Sequence, residues 1–326
     1  MPRTYTHLHA EERDLLAVLR GEGKSLREIA RALHRNPGTI SRELRRNAPP
    51  IHTGYYLSHK AQARAVARNC QRAQRPRLKT VWLRRYVGQR LAAGWSPELI
   101  AGRVVILRPQ EHVSHETIYQ WIYTEARHHI GHLARAHRRR LRRGYSRKHT
   151  KAHIPGRIPL DRRPQAVAAR RQIGHWETDT VVSRQSVAAL QVVVERVTRY
   201  TKMKKLSRRS APQMRIGLTR TLSRYPRPVR RTITYDNGSE NTEHQQVNAV
   251  LGTRSYFCAP FHSWEKGTAE NTIGLVRRWL PKKTDFATVS VGTVKAIERW
   301  LNNRPRKCLD YKTPAEVFRA SVAFTP

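Results

Sequence analysis

Three acidic residues in a strongly basic chain have the types and spacing for metal chemistry: Asp179, Asp236 and Glu270. Asp236 sits in Tyr235-Asp236-Asn237-Gly238 and ends a run, Arg231-Thr232-Ile233-Thr234-Tyr235, whose β-branched residues and alternation predict a strand. Glu270 follows 34 positions later (270 − 236), in Gly267-Thr268-Ala269-Glu270-Asn271. It opens a predicted helix, with Ile273, Val276 and Leu280 spaced to share one face. Upstream, His175–Val182 predicts another strand, which carries Asp179 and, on the same side, Glu177. Mg²⁺ takes hard oxygen ligands, and one or two carboxylates plus a substrate phosphate suffice to hold it. Two such ions stabilise the attacking and the leaving oxygen of an in-line displacement at phosphorus. Taken singly, each acid has a plainer reading. Asp-Asn-Gly is a common turn signal, and Glu270 in a first helical turn complements the helix dipole.

The residues around the acids resemble a known family. His175-Trp176-Glu177-Thr178-Asp179, Tyr235-Asp236-Asn237-Gly238 and Trp264-Glu265-Lys266-Gly267-Thr268-Ala269-Glu270-Asn271 are similar to the DDE motifs of IS30-family transposases. The resemblance runs from Tyr5 to Phe318. It departs at Thr178, Ala269 and Ile273, where relatives often carry Gly, Asn and Asn; none of these changes removes a metal ligand. The resemblance implies N-terminal all-α helix-turn-helix domains followed by an α/β RNase H-like, integrase-type core. It also implies two Mg²⁺ ions, with Mn²⁺ as a substitute, on Asp179, Asp236 and Glu270. The implied reaction is hydrolysis at the ends of an insertion sequence, then attack of the freed 3′-hydroxyl on target DNA. The implied partner is double-stranded DNA, both terminal inverted repeats and target. Because two ends must be handled together, a homodimer or larger assembly on DNA is expected. A repressor of the same family that has lost catalysis, or an RNase H-like nuclease without strand transfer, are the alternatives.

The elements that must position these groups are legible in outline. The 326 residues allow two or three domains. With 64 Lys and Arg against 23 Asp and Glu, the formal charge is +41. A chain this basic is expected to meet a polyanion, with counterion release supplying much of the affinity. No apolar run approaches the roughly 18 residues of a transmembrane helix, and Met1–Tyr5 lacks the apolar segment of a signal peptide. No membrane partner is expected. Cys70, Cys258 and Cys308 are scattered and form no CxxC pair, which fits a reducing cytoplasm, here that of a bacterium at its nucleoid.

Residues 1–48 read as a helix-turn-helix domain. Ser25-Leu26-Arg27-Glu28 is a capping box ahead of a buried stripe of Ile29, Ala30 and Leu33. Asn36-Pro37 starts the next helix, with Ile40 and Leu44 turned to the core. Thr39, Ser41, Arg42, Arg45 and Arg46 are left for DNA, as on a helix that enters the major groove. Residues 49–76 form a basic helix or linker. Residues 77–126 repeat the helix-turn-helix pattern, with helices opened by Ser96-Pro97 and Ser114-His115, and with His115, Thr117 and Gln120 on the open face. Tyr119 and Trp121 are expected in its core.

A second basic linker, 127–160, has no acid between Glu125 and Asp161 and includes Arg138, Arg139 and Arg140, candidate phosphate contacts. His128, His129 and His132 lie at its start and read as surface residues. From 161 to 285, three strand-like runs precede an alternation of helix and strand, the order of the RNase H-like core. Supporting roles fall to Asn237 and Gly238, which let the chain turn beside Asp236, and to Asn271, Arg277 and Arg278 as phosphate contacts. Glu177 is either a second acid near the metal or one half of a structural pair with an arginine. His262 and Trp264 sit on a loop expected to face substrate. Residues 286–326 are expected to form a C-terminal helical tail.

Overall fold

Short helices, each with one apolar stripe, build the first unit of the chain. A computed structural model describes residues 7–47, 55–74, 76–133, 154–259 and 262–323. The chain divides into two compact units, Met1–Lys79 and Thr80–Pro326. The first contains α1 (Ala10–Gly21), α2 (Leu26–Ala32), α3 (Pro37–Asn47) and α4 (Ser58–Gln74). Leu16, Ile29, Ala30, Ile40, Tyr56 and Ala61 form its core. The predicted capping box opens α2: the Glu28 amide donates to Ser25 Oγ at 3.4 Å and the Ser25 amide to Glu28 Oε2 at 2.8 Å. Asn36 Oδ1 accepts from the Gly38 amide at 2.8 Å, where α3 begins.

The stretch read as a basic helix or linker forms α4, which packs on α1 and α3. Arg64 and Arg68 donate to the backbone and side-chain oxygens of Asn47 at 2.8 and 2.7 Å. Beneath them Arg13 donates to Glu43 (2.7 Å), to Gln62 (2.6 Å) and to the Leu8 carbonyl (2.7 Å). Tyr56 Oη completes this network with a 3.0 Å hydrogen bond to Glu43.

The second unit opens with α5 (Val81–Ala92), α6 (Pro97–Leu107) and α7 (His115–Thr124). Ser114 caps α7 by accepting from the Thr117 amide at 3.1 Å. Ile100, Val104, Ile118 and Ile122 are buried, and so is Trp121, as expected; Tyr119, expected in the core, is only half-buried, stacked on Tyr123. After a short α8 (Gln165–Ala168) come β1 (His175–Val182), β2 (Ala189–Glu195), β3 (Thr201–Leu206), α9 (Ala211–Leu222), β4 (Thr232–Tyr235), α10 (His244–Leu251), β5 (Arg254–Phe257), α11 (Gly267–Val276), α12 (Val291–Asn302) and α13 (Pro314–Ala323).

The five strands form one sheet in the order β3-β2-β1-β4-β5. The first three are antiparallel neighbours, while β1, β4 and β5 run parallel. Helices cover both faces. Met214, Leu218 and Leu222 of α9, Val247 and Leu251 of α10 and Phe318 of α13 meet Trp176, Val193, Ile233 and Tyr235. Val276 after Ile273 of α11, and Val294, Ile297 and Leu301 of α12, meet Val192, Val194 and Met203 on the other face. A sheet covered on both sides reads as a continuous apolar run, and β2 is buried along its whole length.

Two predicted boundaries shift. The helix carrying Glu270 ends at Val276, short of Leu280. Pro281 disfavours helical backbone at Leu280, and its ring would clash with the Arg277 carbonyl one turn earlier. In the expected C-terminal tail, α12 is a layer on the sheet. Glu298 Oε2 accepts from the Met203 amide at 2.7 Å, and Asn302 exchanges two 2.8 Å hydrogen bonds with the Thr201 backbone.

Helices α5 and α6 dock on this C-terminal part. Trp300 Nε1 donates to the Ala93 carbonyl at 2.7 Å, and Arg278 and Arg304 both donate to the Gly94 carbonyl. Arg103 pairs with Glu316 (2.9 Å) and Lys307 with Glu98 (2.6 Å). Gly102 has no Cβ where the Tyr311 ring lies against α6. Among the described residues no helix is long and apolar enough to cross a membrane.

Candidate active site

The parallel register of β1 and β4 brings two of the three acids together. Its pairs run from His175 with Thr232 to Glu177 with Thr234. Two residues further on stand Asp179, inside β1, and Asp236, just past the end of β4. Their carboxylates share one cation. Lys266 Nζ lies 3.3 Å from Asp179 Oδ2 and 3.6 Å from Asp236 Oδ2, and donates to the Thr178 carbonyl at 3.2 Å. Lys266 is 5% exposed. Burial alone would push its ammonium down, but the two aspartates outweigh that and hold it above the usual lysine range. Burial raises Asp179, opposed by Lys266 and reinforced by the charge of Asp236.

Neighbours fix each carboxylate. Asp179 Oδ1 accepts from the Thr180 amide at 2.7 Å, and Asp236 Oδ1 from Asn241 Nδ2 at 2.7 Å. Beside Asp236, the Asn237 side chain is tied down: Nδ2 donates to the Cys258 carbonyl at 2.8 Å and Oδ1 accepts from Arg157 at 2.7 Å. Gly238 acts through space and not through backbone freedom, because its φ is −73°. A Cβ there would run into the Glu240 carboxylate. Glu240 is buried and takes both arms of Arg209, at 2.8 and 2.7 Å.

Of the two readings of Glu177, the geometry selects the pair with an arginine. Its side chain is fully buried and Oε1 accepts from Arg196 Nη1 at 2.9 Å. Oε2 accepts from the Ala269 amide at 2.9 Å. This second bond ties the first turn of α11, and so the residue next to Glu270, to the strand of Asp179. Arg199 adds a 2.7 Å bond to Thr268 Oγ1.

Glu270 is exposed on that turn. Among the described residues, no three His, Cys, Asp or Glu side chains are grouped closely enough to hold a metal ion. The donor set thus fits a divalent ion through two hard carboxylates that already converge on one cation, with Glu270 outside the group.

The other predicted residues divide. Asn271 is exposed on α11. Arg277 is engaged within the fold: it donates to the Val182 carbonyl at 2.7 Å and to the Leu280 and Pro281 carbonyls at 3.4 Å. Arg278 is exposed but reaches Gly94. Ser41, Arg42, Arg45 and Arg46 are exposed on α3 and Thr39 is half-buried. On α7, His115 and Gln120 are exposed, while Thr117 is half-buried with its hydroxyl 2.9 Å from that of Ser114. His128 and His132 flank the ring of His129, which packs on Trp121. His262 is exposed, with Nδ1 3.3 Å from Glu265 Oε1. Arg138, Arg139, Arg140 and the side chain of Trp264 lie outside the described residues.

Sequence reading passed over Lys266, Asn241 and the Arg209–Glu240 pair. Lys266 stood in a motif segment already singled out, but one lysine among 64 basic residues has no distinguishing type.

Comparison with known proteins agrees with this architecture. Residues 4–47 match a helix-turn-helix domain family and residues 169–263 an integrase core domain family; the second match stops short of Glu270. The chain is 37% identical to the transposase for insertion sequence element IS4351 of Bacteroides fragilis, covering 98% of each chain. It is 37% identical to the transposase for IS1086 of Cupriavidus metallidurans, covering 99% of this chain and 97% of that one. Against transposase InsI for IS30A of Escherichia coli K12 the identity is 35%, covering 99% of this chain and 86% of that one. With similarity of this extent spanning both the helix-turn-helix and the core, the chain belongs to the IS30 family of insertion-sequence transposases.

Proposed function

We propose that the protein binds the terminal inverted repeats of its element, hydrolyses a strand at each end, and joins the freed 3′-hydroxyl to target DNA by transesterification at the same site. The observation that carries this reading is the convergence of Asp179, within β1, and Asp236, just past the end of the adjacent parallel β4, on one buried cation. Asp179, Asp236 and Glu270 are the residues that would hold divalent metal, Mg²⁺ or Mn²⁺. When bound, the metal supplies charge stabilisation for the attacking and leaving oxygens.

The chain's own groups do the positioning. Asn241 fixes the rotamer of Asp236, and the Thr180 amide fixes that of Asp179. Glu177 clamps α11, so that Glu270 is presented from a helix bonded to the strand of Asp179. The exposed face of α3, with Ser41, Arg42, Arg45 and Arg46, and that of α7, with His115 and Gln120, are the DNA-reading surfaces. Thr39 and Thr117 lie at their margins. Asn271 and Arg278 lie near the substrate backbone. Two copies act on the paired ends, in the bacterial cytoplasm at the nucleoid.

The test is Asp236→Asn, assayed on end DNA with Mg²⁺. Cleavage and joining should fall by on the order of a thousand-fold or more, since a metal ligand is lost, while end binding in a mobility-shift assay is unchanged. Normal cutting by this variant would remove Asp236 from the chemistry. A wild-type chain that binds ends but never cuts them would favour a repressor.

A further inference from the structure

Lys266 occupies the place between the two aspartates that a shared cation must take. Its nitrogen is 3.3 and 3.6 Å from their nearest oxygens, whereas Mg²⁺ draws its oxygen ligands in to about 2.0–2.1 Å. One opening cannot hold both cations. The side chain is also not there for want of solvent access: it is buried, and its third contact is the Thr178 carbonyl, next to Asp179. A buried ammonium is costly unless paired and hydrogen-bonded, and here three oxygens satisfy it. Conversely, two carboxylates this close repel each other without a cation between them. Lys266 is the residue at the N-terminal boundary of α11, four positions before Glu270. Displacing its side chain therefore disturbs the same turn that carries the exposed third acid.

We propose that Lys266 is a built-in counter-ion, holding the Asp179–Asp236 pair assembled before metal arrives and leaving the pair when a divalent ion enters. The inference rests on the reading of that pair as metal ligands. It makes metal loading an exchange of one cation for another, and it makes the first turn of α11 the element that moves during that exchange. Lys266 is on this account a positioning residue that never touches the reacting atoms.

The experiment is calorimetric titration of Mn²⁺ into the full-length, DNA-free chain, as wild type, Lys266→Gln, Lys266→Arg and Asp236→Asn. Without the competing charge, Lys266→Gln should bind Mn²⁺ roughly tenfold more tightly than wild type. Lys266→Arg, which keeps a cation, should stay within about twofold of wild type. Equal or weaker binding by Lys266→Gln overturns the proposal. Should that variant fail to fold, amine acetylation of the wild-type protein read by peptide mass spectrometry decides instead. Lys266 should be protected without metal and labelled several-fold faster at saturating Mn²⁺; unchanged labelling at saturation overturns the proposal. If Asp236→Asn binds Mn²⁺ as well as wild type does, the metal-site reading itself fails. If it loses binding while Lys266→Gln matches wild type, only the counter-ion inference fails.

Discussion

The helix-turn-helix region of α1–α3 and the helical region of α5–α7 use the same local devices and differ in what they are attached to. Both open helices with a serine cap, Ser25 on α2 and Ser114 on α7, and both bury an isoleucine in the later helix, Ile40 and Ile118. The polar heart of the first, Arg13 with Glu43, Gln62 and Tyr56, lies wholly within residues 7–74. The second lends its polar groups outward, to Trp300, Arg304, Lys307 and Glu316. Similar sequence patterns thus produce a compact helical unit with its own core in one case and an outer layer of the unit that holds the sheet in the other.

The largest expected effect breaks the self-contained unit. Arg13→Ala leaves Glu43 in a pair whose side chains are 6% and 11% exposed. Losing one partner of a pair this buried costs about 3–5 kcal/mol. In a denaturant titration the loss should fall on the transition of residues 1–79 and leave that of the second unit in place. A middle effect tests the docked region. Trp300→Ala removes a half-buried ring and its bond to Ala93, at about 2 kcal/mol. Hydrogen exchange should quicken in α5 and α6 while α1–α4 keep their protection; equal quickening in both would dissolve the distinction.

The smallest effect is a pH dependence. Arg103 beside Glu316 holds its carboxyl down at about 2, against the usual 4.5. A depressed carboxyl contributes stability that is complete above the unfolded value and lost as pH falls through the folded one. The docking contact should therefore weaken between pH 4.5 and about 2, and Glu316→Gln should flatten that dependence. Because the Glu316 side chain is 45% exposed, the contribution is about 1 kcal/mol or less.

Much of the fold was readable from the chain because it is periodic. The strand read over His175–Val182 matches β1, and the three strand-like runs ahead of alternating helix and strand match the order of the elements. Asp179 and Asp236 were readable because one lies within a recognisable strand and the other directly follows one. What stayed hidden depends on distant partners. Nothing local in Glu298 or Asn302 says that they satisfy the backbone of β3, so α12 read as tail. Glu177 had two open readings until Arg196 and the Ala269 amide were seen against it. The early stop of α11 was signalled by Pro281, which an apolar count through Leu280 overlooks.

The hub at the Gly94 carbonyl, where Arg278 and Arg304 meet the turn between α5 and α6, helps tie the layer that includes α7 into the same compact body as the two aspartates. If α7 grips the element end, that body works as a caliper: its span along the duplex is set by protein geometry. Adding a few base pairs between the gripped sequence and the cut should then shift the scission point by the same number, instead of letting it follow the original phosphate.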